Sequence, residues 1–433
     1  MDSPHLSEAV FVGLCNYIGT SRQISMRREV WDIRQSITNQ VNKEEDNYEM
    51  WSGSRKEGFR LASSDMDWMF SPKDHRVIWN LCQIKYYTLL SKTLILSECQ
   101  MSPPGFVLLQ LLSPSYRGFL REIISACVEM ESRYYISSSI YRQITCSKVF
   151  PFATVHGPCG SSNYGIAGVE CDAAQCLTCD IWPPIASSFI TRSSSWPESH
   201  ILGDIVKGGC HFVAIGHKLS VHEDKEWRIS FSLAEQKLVY SMNHCQFLTY
   251  ALLKLFLKNV INSETEEKLL CSYHMKTAVF WVIQQNIVPI WSPQNLLECF
   301  WICFKMILKW VYDGVCPNFF IPENNMFLCK IHGHAQKTLL IRLCGLYEKG
   351  NVSLQHIPSI RCNILHALQN PSSFVSVDEH LLLPDTNFDV EMFTEIATVN
   401  FHRIPHLNTC WKHLKAISVL RNSNLTKCQF LTI

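Results

Sequence analysis

The feature that most constrains the fold of this chain is a change of hydrophobic period near Leu233. Beyond it, apolar residues recur three or four apart in FLTYALLKLFLKNVI (247–261), YHMKTAVFWVIQQN (273–286) and NLLECFWICFKMILKWVYDGV (295–315). That spacing gathers them on one side of a 3.6-residue turn, so the second half is expected to be packed helices. Before Leu233 the pattern is mixed. In Arg27 to Lys43, residues Val30, Ile33, Ile37 and Val41 mark an amphipathic helix with a charged outer face. The segment Ser64 to Phe70 alternates in its second half like a strand. The run GVECDAAQCLTCDIW (168–182) reads as a buried strand ending at a turn, Pro183-Pro184. EWRISFS (226–232) reads as another strand, with a helix opening straight after it.

A chain of 433 residues is expected to form two packed lobes, and 47% hydrophobic with 18% charged residues suffices for a sizeable core. The formal net charge of +1 gives no global footprint for nucleic acid or acidic membranes. The first residues lack a basic start and a long apolar run, so they do not read as a signal peptide. The most apolar stretch, Cys299 to Val311, is interrupted by Lys305 and Lys309 and is too short to span a bilayer. A soluble cytoplasmic protein is therefore expected. Its 20 cysteines then read as reduced, small apolar core residues rather than as a disulfide framework.

One constellation carries chemistry. Positions i and i+2 of a strand face the same side, so Asp65 and Asp67 would present two carboxylates together. Like charges so close are costly unless hard cations such as Mg²⁺ sit between them. Gly53-Ser54, eleven residues before Asp65, offers a small turn with backbone N–H groups and a hydroxyl suited to a triphosphate. Asp172, in the largely apolar run Val169 to Leu177, is the preferred third carboxylate, because a buried lone Asp needs a partner. Asp180 is a rival, placed where the strand should already be ending.

These residues resemble the polymerase-beta-like nucleotidyltransferases, and downstream phrases narrow the match. Trp227-Arg228-Ile229-Ser230-Phe231-Ser232-x-x-Glu235 is similar to the WRLSFS strand and following helix of the cyclic GMP-AMP synthase and Mab-21 family. Ser272-Tyr273-His274-Met275-Lys276-Thr277 is similar to its SYHxKT helix start. His156-Gly157-Pro158-Cys159 and CPNFFIPENNMF (316–327) resemble invertebrate members, and the likeness covers roughly residues 25–350. The resemblance implies an α+β fold with a mixed twisted sheet, helices and an N-terminal spine helix, plus a C-terminal all-helical lobe. The expected boundaries are 1–235 for the nucleotidyltransferase core, 236–360 for the helical lobe and 361–433 for an extension.

The resemblance also implies roles. Asp65, Asp67 and Asp172 would hold two Mg²⁺ or Mn²⁺ ions, which activate the attacking ribose hydroxyl and stabilise the leaving pyrophosphate. ATP would be bound by Ser54, Asp65, Asp67, Glu235, Lys254, Ser272, Tyr273 and Lys276. GTP would meet Asp172, Arg228, Ser230, Ser232 and Glu235. A strand would put Arg228, Ser230 and Ser232 on one face. Glu235 would read a base edge, and Tyr273 would stack on a base. Alternatives stay open: Arg228 as a structural ion-pair partner, Tyr273 as a core aromatic with a bonded hydroxyl, and Lys258 in place of Lys254 at the phosphate.

Two departures bear on function. Where vertebrate relatives insert a zinc thumb after WRLSFS, only His244-Cys245 stands here, and the long basic N-terminal tail is missing. Cys176-x-x-Cys179 has zinc spacing but no second pair, so no zinc is expected. Thumbless relatives include sensors of double-stranded RNA, which makes that duplex the expected activating ligand. Arg22, Arg27, Arg28 and Arg34 lie on or near the spine helix; positions 27, 28 and 34 do not form one stripe, so they offer its phosphates a moderate patch. The implied function is synthesis of a cyclic dinucleotide such as cyclic GMP-AMP from ATP and GTP as an innate immune signal, with a ligand-bound dimer allowed. The competing reading is a catalytically silent Mab-21-like interaction protein acting in development.

Overall fold

The structure, a computed structural model, describes residues 4–41, 47–61, 66–87, 92–113, 120–149, 154–162, 171–192, 195–263, 267–288 and 290–370. The chain opens with α1 (Pro4–Ile18), α2 (Ser21–Val41), β1 (Asn47–Ser52), the short α3 (Gly53–Lys56), β2 (Met66–Pro72), β3 (His75–Ile78), β4 (Thr93–Glu98) and β5 (Phe106–Ser113). It continues through α4 (Leu120–Ala126), β6 (Cys127–Met130), β7 (Arg133–Ile136), α5 (Ser138–Val149), β8 (Thr154–His156), β9 (Cys159–Ser162) and β10 (Cys171–Cys179). Then come α6 (Ser187–Arg192), α7 (Ser199–Lys207), β11 (Cys210–Val213), β12 (Trp227–Ser230) and α8 (Ser232–Ser241). The helical lobe holds α9 (His244–Phe256), α10 (Ser272–Gln284), α11 (Leu296–Asp313), α12 (Gly333–Lys349) and α13 (Pro358–Gln369).

The sheet follows the order β1-β2-β10-β11-β12-β5-β4-β3, with β8–β9 added beside β10 and β6–β7 beside β5. It is mixed: β2 with β10 and β3 with β4 run parallel, whereas β1–β2, β10–β11 and β11–β12 are antiparallel. β10 reads as a nearly unbroken apolar run because both of its faces are covered. Leu177 and Cys179 join the main core, while Ala174 and Cys176 pack with Met50, Met69 and Val213 in a second cluster.

The spine helix is longer than its periodicity suggested, and it starts at Ser21. Gly19, at φ +127°, breaks the chain from α1, and Thr20 and Gln23 exchange side-chain hydrogen bonds with each other's backbone N–H groups. Trp31 fixes α2 to the sheet by packing on Trp51 at 4.9 Å, and Trp51 meets Trp68 at 4.4 Å. α1 had no counterpart in the sequence reading. Its buried residues Leu6, Val10, Leu14 and Ile18 belong to the main core, and it packs on α9, α11 and α13. So the first residues dock on the helical lobe, although the sequence boundaries assigned them to the sheet core.

The boundary expected at 235/236 cuts α8, which runs on to Ser241, and the 360/361 boundary cuts α13. Most of the expected 361–433 extension, from residue 371 onward, lies outside the described residues. The helical lobe begins at α9, where Asn243 and Gln246 form a reciprocal cap. One continuous core joins sheet and lobe. At the junction Phe231 stacks on Phe320 at 4.4 Å, and Trp182 and Phe189 close around the pair. Every cysteine among the described residues is a free thiol. No helix among them is long and apolar enough to cross a membrane.

Two stability predictions arise here. Trp227 is fully buried and donates Nε1–H to the Ile136 carbonyl at 2.7 Å. Trp227→Ala should cost about 3–5 kcal/mol, read as a lower denaturant midpoint. His211 on β11 is buried, and burial lowers its pKa to about 4. In the unfolded chain it titrates near about 6.5, so the unfolded state takes up the proton first as pH falls. Its contribution is therefore fully present above about 6.5 and is lost progressively as pH falls towards 4, by about 3 kcal/mol. His244, lowered to about 4 by burial and by Arg28, acts in the same direction. Denaturation midpoints measured from pH 7.5 to 4.5 should fall steadily, and His211→Gln should flatten the slope.

Candidate active site

Asp67 on β2 and Asp172 on β10 are register partners in the parallel pair. Paired residues of neighbouring strands share a face about 4.8 Å apart, so two half-buried carboxylates stand side by side. Asp65 lies outside the described residues. Ser161 on β9, the register partner of Asp172 on its other side, donates its hydroxyl to Asp172 Oδ1. Asp180 does not compete. It follows the far end of β10, about 26 Å along the strand, and pairs with Arg76 at 2.9 Å.

Gly53 begins α3 at φ +73°, and a Cβ added there would stand 1.6 Å from Asp67 Oδ2. Only a glycine accepts both the left-handed backbone and that carboxylate. Beside it, Lys254 Nζ reaches Ser54 Oγ at 2.5 Å while lying over the Phe59 ring at 4.3 Å. Lys258, four residues on, is exposed. Lys254 is thus the lysine that meets the Gly-Ser turn.

A cavity of about 540 Å³ opens between sheet and helical lobe. Gly53 and Asp67 line one side, Arg228, Ser230, Ser232 and Glu235 a second, and Tyr273 and Lys276 a third. Asp172, Ser54 and Ser272 stand beside lining residues, and Lys254 joins through Ser54. Arg228 and Ser230 share a strand face as expected. Ser232 does not belong to the strand, which stops at Ser230 so that Ser232 begins α8. It still reaches the cavity, with its hydroxyl 3.2 Å from Met69 Sδ.

Tyr273 combines two of the roles weighed for it. Its ring lines the cavity, and its hydroxyl accepts from Asn318 Nδ2 at 3.3 Å. Burial and the Glu235 charge push the phenol well above its ordinary range. Lys276 is bound differently from a lysine left open for phosphate. Its ammonium lies 2.6 Å from Glu57 Oε1 and 3.1 Å from Glu235 Oε2. Burial would lower its pKa, but the two carboxylates outweigh burial and raise it.

The arginines expected to meet an RNA duplex are largely spent inside the molecule. Arg27 is buried and donates to the Ile18 and Gly58 carbonyls. Arg28 donates to the Glu57 carbonyl and lies over Tyr240 and Phe247. Arg34 lies over Trp31 and Trp51. Cys176 and Cys179 sit on opposite faces of β10, so they cannot share a metal ion. His244 is held by the Cys15 thiol at 3.4 Å and the edge of Phe11. Among the described residues no three His, Cys, Asp or Glu side chains converge as a metal site.

Sequence reasoning missed several residues here. Lys56 is buried and pairs with Asp32 of the spine helix at 2.6 Å. Glu57, also buried, meets Lys276, and the 316–327 phrase brings Asn318, Asn324 and Met326 to the cavity wall. In the sequence Arg55-Lys56-Glu57 looks like a solvated charge run. The flanking Gly53 and Gly58, both at positive φ, were the available sign of a tight, packed turn.

Comparison with known proteins agrees with this architecture. Residues 94–241 match the Mab-21 protein nucleotidyltransferase domain, and 242–343 match the Mab-21 protein HhH/H2TH-like domain. The two meet at the end of α8. Mouse cyclic GMP-AMP synthase is 27% identical over 144 residues, 30% of this chain and 28% of that protein. The pig protein of the same name is 30% identical over 147 residues, 30% of this chain and 29% of its own. A cyclic GMP-AMP synthase-like receptor of Magallana gigas is 23% identical over 165 residues, 36% of this chain and 27% of its own. The chain thus spans less than a third of each of these relatives. Gly53 and Asp67 precede the matched domains, so their place in the site comes from geometry. With two consecutive domains matched over more than half its length, this chain belongs to the Mab-21 family.

Proposed function

We propose that the chain is a metal-dependent nucleotidyltransferase that joins ATP and GTP into a cyclic dinucleotide such as cyclic GMP-AMP. The observation that carries this reading is the in-register pair Asp67–Asp172, with Gly53 packed against the Asp67 carboxylate at the edge of a cavity of about 540 Å³. A cavity of that size suits nucleotides. Two adjacent carboxylates are hard oxygen ligands, and their donor set fits Mg²⁺ or Mn²⁺ with Asp65 as the third ligand. When bound, such ions supply charge neutralisation at the triphosphate and lower the pKa of the attacking hydroxyl. The protein's own contribution is placement. Ser161 orients Asp172, Lys254 holds Ser54 beside the triphosphate position, and Arg228 and Ser230 face the acceptor nucleotide.

Double-stranded RNA is the proposed activating ligand. Because Arg27 and Arg28 are engaged internally, its phosphates must meet other cations. The test is incubation with four labelled nucleoside triphosphates and Mg²⁺ or Mn²⁺, alone, with double-stranded RNA and with double-stranded DNA. A phosphatase-resistant dinucleotide formed only with RNA is the expected product. No product under any condition, together with no nucleotide binding, would favour the silent interaction protein.

A further inference from the structure

Beside the aspartate pair lies a second buried cluster of charge. Glu57 is 3% exposed and Lys276 9%. Lys276, on α10, divides its ammonium between Glu57 and Glu235. The Tyr250 hydroxyl of α9 donates to Glu57 Oε2 at 3.4 Å, and Arg28 of α2 donates to the Glu57 carbonyl at 2.9 Å. Glu57 therefore collects contacts from the spine helix and two helices of the other lobe. It also ends the turn that begins at Gly53, through Glu57 N–H to Gly53 O at 3.1 Å.

Two carboxylates share one ammonium at the cavity wall. A buried carboxylate without a cation tends to take up a proton, and an acid that has done so becomes a donor. Lys276 gives each of the two carboxylates its cation partner. It cannot leave Glu57 without stranding a buried charge, so Glu57 fixes the ammonium and the ammonium fixes Glu235. The Tyr273 hydroxyl adds a second hydrogen bond to Glu235.

The geometry points to Glu57 as a positioning residue for base discrimination: through Lys276 it holds the Glu235 carboxylate oriented at the cavity wall. This rests on the nucleotide-joining reading above. An ionised carboxylate can only accept hydrogen bonds. Guanine presents two adjacent donors, N1–H and the 2-amino group, whereas adenine sets one amino donor beside an acceptor nitrogen that a carboxylate repels. A fixed Glu235 therefore favours guanine, and it favours GTP over inosine triphosphate, which lacks the 2-amino group.

The test is equilibrium binding of GTP, inosine triphosphate and ATP, with Mg²⁺, to the full chain and to E57Q, E57D and E235Q. Wild type should prefer GTP. E57Q should lose about ten-fold or more of that preference, while E57D, which keeps the charge, retains most of it. E235Q should lose the same preference, and this arm stands even if E57Q fails to fold. A purely structural Glu57 would weaken all three nucleotides alike. An unchanged GTP-to-ATP ratio in folded E57Q, or in E235Q, overturns the proposal alone. Wild-type protein that binds none of the three overturns the nucleotide reading, and this proposal with it.

Discussion

Asp67→Asn and Asp172→Asn should each lower the proposed nucleotidyl transfer by at least about 1,000-fold, because charge that holds divalent ions at a reacting phosphate is worth several kcal/mol. The fold should survive both changes. Asn is nearly isosteric, and removing one of two adjacent like charges relieves repulsion in the metal-free protein. Asp172→Asn also keeps an oxygen for the Ser161 hydroxyl. Turnover in labelled-nucleotide assays, read beside thermal melting, separates the two effects. Lost turnover with an unchanged or higher melting temperature is the expected pair of results. Near-normal turnover in either variant would mean that the pair does not hold the catalytic ions.

Gly53→Ala should be the second large loss. At φ +73° an L-residue pays about 1–2 kcal/mol in backbone energy. The new methyl group would also stand 1.6 Å from Asp67 Oδ2, so the carboxylate must move. Displacing a catalytic group by about 1 Å costs about 100-fold in rate. Gly58→Ala makes the useful comparison. It too sits at positive φ, at +100°, but its nearest neighbour is Ile24 rather than the Asp67 carboxylate. It should share the stability cost and spare most of the activity. Equal losses of activity in both would assign the effect to the turn's backbone and not to Asp67.

Much of the fold was legible because its signals are local. β10 showed as an apolar run, α10 and α11 showed by their period, and the strand-to-helix switch after Trp227 showed by its residues. Asp172 was preferred to Asp180 because it lies inside the apolar run and Asp180 where the strand should end, and β10 places Asp172 in register with Asp67. What stayed hidden depends on contacts far apart in the chain. Docking of α1 on α13 joins the two ends of the described chain. The burial of Lys56 and Glu57 depends on Asp32, 24 residues from Lys56, and on Lys276 in the other lobe. Charged side chains next to glycines look solvated until their partners are placed. The same cause misdirected the reading of Arg27 and Arg28, whose guanidinium groups serve the turn beyond Gly53 instead of an outer face.

The most direct test of the proposed centre is Mn²⁺ binding by electron paramagnetic resonance, on wild type, Asp67→Asn and Asp172→Asn, with and without a non-hydrolysable nucleoside triphosphate. Bound Mn²⁺ in wild type, strengthened by the triphosphate and lost in both variants, is the predicted result. Equal Mn²⁺ binding in all three proteins, or none in any of them with triphosphate present, would contradict a metal centre on Asp67 and Asp172.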